Sequence, residues 1–580
     1  MKAVRVALGQ VNPTVGDLIG NAGLVQRFSL KAREANADLV VFPEMVLTGY
    51  PPEDLLLEPT FLVATEKTLQ TLARQLPKDI AVVLGAPEKK GDRLYNTAVV
   101  IHHHRVQHRF RKWFLPNYGV FDEHRYFTPG TTPGVFRWKG IAIGLTVCED
   151  VWKPQGPAPV AVKKGADLLV NLSASPYHAG KNDTRTHVLK QRVRECHVPF
   201  LYCNTVGGQD DLVYDGGSRV MDDRGHVLAQ SPLFQEDLLV CDVPLKSTTP
   251  PVAPAVLPLT REDEILSALT LGTRDYVIKN GFKKIFIGLS GGIDSALTAC
   301  IAVDALGKEN VVGVTLPSRF NARETQQDAA RLAKNLGIAF HSVPIEEIVR
   351  AFNKTLRPLF KGLSADVTEE NLQSRVRGTL LMALANKHGG LVLTTGNKSE
   401  MSMGYFTLYG DSAGGFSVIK DIPKTLVYDL SRRVNTRAGF SLIPKDTLTR
   451  PPTAELRPNQ KDQDTLPPYN VLDTIIQSYV EENKSFKEIV AEGLPSSLVQ
   501  KTMNTMDAME HKRRQAPLGI KITPRAFGRD RRMPITNRFR SDQQKKAPPP
   551  LKKGGQGGFA LALVFAFSLT FPYLVSFPRV

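Results

Sequence analysis

Only five cysteines and three tryptophans occur in 580 residues. The cysteines, Cys148, Cys196, Cys203, Cys241 and Cys300, are odd in number and no two stand at metal-ligand spacing. That argues against a disulfide scaffold or a zinc ribbon and suits a reducing, cytoplasmic setting. The N-terminus, MKAVRVALGQV, alternates like a strand and lacks the long apolar run of a secretory leader. Acidic residues are the minority charge, 57 against 74 basic, so the formal net charge is +17. Such a surplus suits polyanions, either nucleic acid or nucleotides and pyrophosphates. With no paired Cys/His finger spacing, no RNP-like aromatic run and no basic region leading into heptads, nucleic acid is not an expected partner.

What is present is the composition of a globular protein, 42% hydrophobic and 23% charged. The length suits two cores of roughly 250 residues each. Over residues 1–245, β-branched runs such as ADLVVF, IAVVLG, IAIGLTV, ADLLVNL and PFLYCN alternate with longer helical stretches such as NAGLVQRFSLKAREANA, the pattern of a layered α/β domain. Residues 246–258, rich in proline and threonine, read as a linker. In 259–540, KKIFIGLSGGIDSALTACIAVDAL reads as strand, glycine-rich turn and helix, and NVVGVTLPS and GGLVLTTGN repeat the strand-then-loop pattern, so a doubly wound parallel sheet is expected. The tail, 541–580, runs from a Lys/Pro/Gly-rich stretch into an apolar one interrupted by Pro572 and of borderline length for a bilayer. The preferred reading is an appendage without part in the chemistry, and membrane contact is not expected.

Three residues of the first half fall where strands should end: Glu44 in VVFPEM, Lys112 in RKWFLPNYG and Cys148 in LTVCEDVW. A thiolate can attack a carboxamide to form a thioester, but a thiol near its ordinary pKa needs a base, which Glu44 could supply. The resulting oxyanion needs a cation or N–H donors, which Lys112 and the backbone after the cysteine could supply. The consecutive His102, His103 and His104 would point to alternate faces of a strand and read as a solvated strand or turn, not a metal site.

The order FPE, K-x-x-LPN, CED resembles the nitrilase superfamily along this whole half. The resemblance implies an αββα sandwich with Glu44, Lys112 and Cys148 as its catalytic triad. NLSASPYHAGK extends the likeness to the glutaminase domains of NAD synthetases, which implies that Tyr118, Ser175 and Lys181 hold glutamine.

In the second half, Gly288, Leu289, Ser290, Gly291, Gly292, Ile293, Asp294 and Ser295 form GLSGGIDS. Its glycines let the backbone approach a pyrophosphate, its N–H groups can nest an anion, and the following helix adds a positive N-terminal end. Asp294 could bring Mg2+ to the phosphates. The Gly-Lys-Ser/Thr of a Walker loop is missing. The motif is similar to the PP-loop of enzymes that cleave ATP to AMP and pyrophosphate. The order of ENLQSRVRG, TTGNKSE, GYFTLYGDSAGGF, IPKT, ELRPNQKDQDTLPPY and KRRQAPLGIKITPRAFGRDRRMPITNRF resembles the NAD synthetase family. That resemblance implies that Thr395 contacts ATP, that Asn371, Glu400, Asp411, Lys424 and Lys512 line the site for deamido-NAD, and that Glu400 joins Asp294 at the metal.

The implied enzyme is a carbon–nitrogen ligase that amidates deamido-NAD with nitrogen from glutamine, using ATP and Mg2+, and the family likeness implies a homo-oligomer. Besides an activity partly lost because the tail beyond Arg540 obstructs assembly, two rivals remain at this stage. One keeps both modules but acts on another acceptor, such as a tRNA base; the other is a tail-anchored scaffold with a degenerate ligase fold, against which the intact Cys148, Glu44, Lys112 and SGGIDS argue.

Overall fold

Alternation along the first strand sets the layering of the N-terminal half. In Ala3–Gln10, Val4, Val6 and Leu8 face one way, into a core shared with Ile141, Ile143, Leu168, Val170 and Leu201. Ala7 faces the other way, into a cluster with Val25 and Ala32 of helix Leu18–Glu34 and Leu69 and Leu72 of helix Pro59–Gln75. Two six-stranded sheets therefore stack face to face, with helices on the outside of each. The first sheet runs Asp237–Pro244, Ala3–Gln10, Leu39–Val41, Ala81–Lys90, Arg93–His102, Arg105–Arg111. The second runs Val227–Gln230, Arg219–Met221, Phe200–Asn204, Leu168–Ser173, Ile141–Val147, Gly134–Trp138, under helices Pro157–Lys163 and Lys181–Cys196. This is the αββα sandwich expected of this half. Strand Ile141–Val147, buried at every position, reads in sequence as the continuous apolar run of a strand covered on both faces.

The structure, a computed structural model, describes residues 3–246, 259–537 and 539. The linker from 247 onward and the apolar tail at 541–580 lie outside the described residues. Among those described, no helix is long and apolar enough to cross a membrane.

In the second half, five parallel strands are ordered Ala339–Ser342, Val311–Thr315, Ile285–Gly288, Leu391–Thr394, Phe416–Ser417. Helices Ile293–Leu306 and Lys424–Ala438 pack on one face, and helix Val367–His388 covers the other. The sheet is doubly wound, as the strand–loop–helix pattern predicts. Strand order reverses between Ile285–Gly288 and Leu391–Thr394, and in such sheets ligands bind beyond the C-terminal ends of the strands at that reversal.

The three histidines close a hairpin. His102 ends its strand opposite Arg105, and His103 and His104 take φ of +50° and +62° to make the turn. Among the described residues no three or more histidine, cysteine or carboxylate side chains are grouped to hold a metal. All five cysteines are free.

Candidate functional site

Each of the three candidate catalytic residues of the first half sits just past a strand end. Glu44 lies in the loop after Leu39–Val41, and that loop rests on strand Ala81–Lys90 at Gly85, where any Cβ would stand 2.1 Å from the Met45 nitrogen. Lys112 directly follows Arg105–Arg111, and Cys148 directly follows Ile141–Val147. Cys148 opens a short 3-10 turn, Cys148–Val151, with φ of +40°. A non-glycine residue there is uncommon, and such positions cluster at functional sites.

All three are buried, and Glu44 and Lys112 lie near enough to Cys148 to act on its charge. Lys112, with its side chain at 0% exposure, donates to Glu44 Oε1 at 2.8 Å and to Glu123 Oε1 at 2.8 Å. Glu44 also accepts from Asn96 Nδ2 at 2.7 Å and, through Oε2, from the Ala174 N–H at 2.9 Å. Burial pulls the Lys112 ammonium down, but Glu123 and Glu44 outweigh it and hold it well above the ordinary range. Burial pushes the Cys148 thiol well up, with Glu44 adding to the effect and Lys112 opposing it. Burial and the neighbouring carboxylate thus favour the neutral thiol, while the paired carboxylates favour the charged form of Lys112.

The residues expected to hold the substrate lie on neighbouring segments. Tyr118, 56% exposed, donates to Glu149 Oε2 at 2.8 Å, and Glu149 is the residue after Cys148. Ser175 follows Ala174, and its N–H donates to Asn204 Oδ1 at 2.9 Å. Lys181 begins helix Lys181–Cys196 with its ammonium 4.4 Å above the Trp152 ring, and burial, then Arg185, pull its pKa down. Glu123 and Asn96 were not singled out from the sequence. Nothing in the spacing of FDEHRYF or YNTAVV marks them, and only the fold carries them to Lys112 and Glu44.

In the second half every expected residue lines one cavity of about 540 Å³, from Gly288 through Ser295 to Thr395, Asn371, Glu400, Asp411, Lys424 and Lys512. The loop leaves strand Ile285–Gly288, turns at Gly291 with φ of +83°, and enters helix Ile293–Leu306, whose first turn has no side-chain cap. A Cβ at Gly291 would stand 2.1 Å from the Thr325 carbonyl oxygen, so only glycine fits there. The uncapped N–H groups point to where an anion would bind.

Lys424 at the head of helix Lys424–Ala438 is bonded to Asp294 Oδ2 and lies 3.8 Å from Glu400 Oε1. Burial, then Asp294, push Glu400 well above the usual carboxylate range, with Lys424 opposing. Asn397 links the parts: its amide donates to Asp294 Oδ1 at 2.9 Å while its oxygen accepts the Glu400 N–H at 3.0 Å. Its capping box, N-K-S-E, was available in the sequence as a helix-start signal. Thr407 donates to Asn371 Oδ1 at 2.7 Å and, through its N–H, to Asp411 Oδ1 at 2.7 Å. Lys512 caps the Gly404 and Phe406 carbonyls at 2.8 Å each.

The two halves share a built interface inside one compact unit, Met1–Asn537. Asp275 on helix Arg261–Lys279 accepts from the Gly208 N–H and Asn12 Nδ2, both at 2.7 Å, and Lys279 donates to Asn12, Pro13 and Gly208. The segment around Ile522 spans the same seam: Asp421 accepts its N–H, and its carbonyl accepts the Ala179 N–H at 2.8 Å.

Two families match this chain: carbon-nitrogen hydrolase over residues 5–250 and NAD synthase over residues 265–516. The glutamine-dependent NAD(+) synthetase of Thermotoga maritima is 47% identical over 574 residues, covering 93% of this chain and 100% of that one. The protein of the same description from Synechocystis is 45% identical over 552 residues, covering 92% and 99%. A solved glutamine-dependent NAD+ synthetase from Acinetobacter baumannii, in complex with ADP, superposes with a TM-score of 0.74 at 40% identity, covering 92% of this chain and 99% of that one. On the strength of these near full-length identities, the chain belongs to the glutamine-dependent NAD(+) synthetases, ligases that draw their amide nitrogen from glutamine.

Proposed function

We propose that residues 1–245 hydrolyse glutamine at Cys148 and residues 259–540 use the released ammonia to amidate deamido-NAD. The observation that carries this reading is the pairing, in one chain, of a buried Glu44–Lys112–Cys148 cluster with a nucleotide-sized cavity walled by GLSGGIDS.

In the first site Glu44 takes the thiol proton as Cys148 Sγ attacks the glutamine carboxamide carbon. The tetrahedral oxygen develops its charge beside Lys112, whose ammonium is held in place before the reaction and needs no reorganisation. Collapse expels ammonia, with the proton returned from Glu44, and leaves a glutamyl thioester. Water, activated by the same carboxylate, releases glutamate. Tyr118, Ser175 and Lys181 hold the amino-acid end of the substrate.

In the second site the nicotinate carboxylate of deamido-NAD attacks the α-phosphate of ATP. The loop after Leu289 and the backbone N–H groups at the head of helix Ile293–Leu306 hold the departing pyrophosphate. Lys424, bonded to Asp294 and near Glu400, stands where phosphate charge accumulates, and Lys512, Asn371 and Asp411 seat the dinucleotide. Ammonia then displaces AMP to give the carboxamide.

Asp294 and Glu400 suit Mg2+. They supply two neighbouring carboxylates, one of them pushed up by burial and then by the other's charge, the second of which a dication would relieve, and magnesium normally completes its shell with phosphates and water. Bound there, the ion would screen charge on the triphosphate.

The test is NAD formation from deamido-NAD and ATP with either glutamine or ammonium. Cys148→Ala is expected to lose the glutamine-driven rate and keep the ammonium-driven one. Loss of neither would remove the first-site assignment, and no NAD from wild type with ammonium would remove the acceptor.

A further inference from the structure

Cys148 takes a backbone conformation that L-residues avoid, with φ of +40°. Such conformations persist only where the surroundings hold them in place. The Cys148–Val151 turn is short, and what holds it comes from Asp150, two residues after the nucleophile and 2% exposed. Asp150 Oδ2 accepts the N–H of Val147 at 2.9 Å, so the carboxylate reaches back across Cys148 to the end of its strand. Its other oxygen leaves the turn altogether. Oδ1 accepts the N–H groups of Trp113 and Phe114, both at 3.0 Å, and these directly follow Lys112.

One buried carboxylate therefore grips the chain immediately before the nucleophile and immediately after the cation that faces its oxyanion. Asp150 makes no ion pair within 4 Å among the described residues; three backbone N–H groups satisfy it. Burial pushes it up to about 7 in spite of those bonds and of the Lys112 charge.

We propose that Asp150 is a positioning residue for glutamine hydrolysis, fixing Cys148 Sγ and Lys112 Nζ relative to one another by tying together the two loops that carry them. The inference rests on the proposed roles of those two residues. Thioester formation requires sulfur and cation to meet opposite ends of one carbonyl, and misplacement by about 1 Å can cost on the order of a hundredfold. Asp150 touches neither substrate nor reacting atoms in this scheme. Its effect passes through backbone geometry.

Two variants separate its bonds. Asp150→Asn replaces one accepting oxygen with a donor that opposes an N–H. Asp150→Ser retains a hydroxyl that can accept the nearby Val147 N–H but is too short for Trp113 and Phe114. Both are expected to lower kcat for glutamine hydrolysis by about ten- to a hundredfold while KM for glutamine and the ammonium-driven rate of NAD formation stay near wild type. Wild-type kcat in Asp150→Ser would overturn the proposal, because the tie between loops would then be dispensable. So would a rise in KM with kcat unchanged, which would mean a shaped pocket, or a parallel loss of the ammonium-driven rate, which would mean support of the whole chain. Cys148→Ala run alongside separates the two layers of argument: if it keeps glutamine hydrolysis, the reading of the site fails before that of Asp150 is reached.

Discussion

At the scale of single residues, the glutaminase pocket is organised around one buried cation with more than one carboxylate. Lys112 is shared by Glu44 and Glu123, and the second of these also accepts the Tyr50 hydroxyl at 2.8 Å. Burial pushes Glu123 up to about 7, with Lys112 opposing and Glu44 adding. A carboxyl whose folded pKa lies above its unfolded value binds its proton more tightly when folded, so the stability it contributes is present at low pH and is lost as pH rises from about 4.5 to about 7. Asp150, also pushed up to about 7, acts in the same direction. Glu123→Gln is therefore expected to flatten the fall in thermal midpoint between pH 5 and pH 8, and equal slopes in variant and wild type would contradict this. In the ligase cavity, Lys424→Ala is expected to lower NAD formation with both nitrogen donors by at least about a hundredfold while glutamine hydrolysis persists, as separate assays of the two reactions would read.

At the scale of elements, what the sequence made legible was periodicity and strand ends. Apolar runs located the buried strands, and Glu44, Lys112 and Cys148 could be picked out because each follows one. GLSGGIDS was legible because glycines between an apolar run and a helical one have few other uses. Partners supplied by distant segments were not legible. Glu123 and Asn96 reach the pocket from a loop and a strand with no distinguishing pattern, and Asn397 was passed over although its capping box was in plain sequence. The histidine run reads in sequence as a solvated strand or turn, and it is the turn: His103 and His104 take positive φ, which asparagine or glycine more usually supplies. Gly291→Ala tests the loop itself. With φ of +83° and the Thr325 carbonyl 2.1 Å from any Cβ, the change is expected to lower the thermal midpoint, raise KM for ATP and leave glutamine hydrolysis intact.

At the scale of the whole molecule, the halves matched by the two families pack into one compact unit, through contacts that composition could not reveal. Asp275 and Lys279 anchor helix Arg261–Lys279 to the glutaminase half, and the Ile522 segment bridges Asp421 and Ala179. Asp275→Ala leaves the Gly208 N–H and the Asn12 amide without their acceptor and removes the carboxylate 3.8 Å from Lys279, a loss of about 3 kcal/mol for two donors left unpaired. A lower thermal midpoint is expected, with a smaller share of glutamine nitrogen recovered in NAD. The central claim is that the two sites act in series within this chain, and amide-15N glutamine tests it most directly. Wild type supplied with deamido-NAD, ATP and the labelled donor is expected to yield NAD carrying 15N in its carboxamide, and Cys148→Ala is expected to yield none. Unlabelled NAD from wild type, or labelled NAD from Cys148→Ala, would contradict the account.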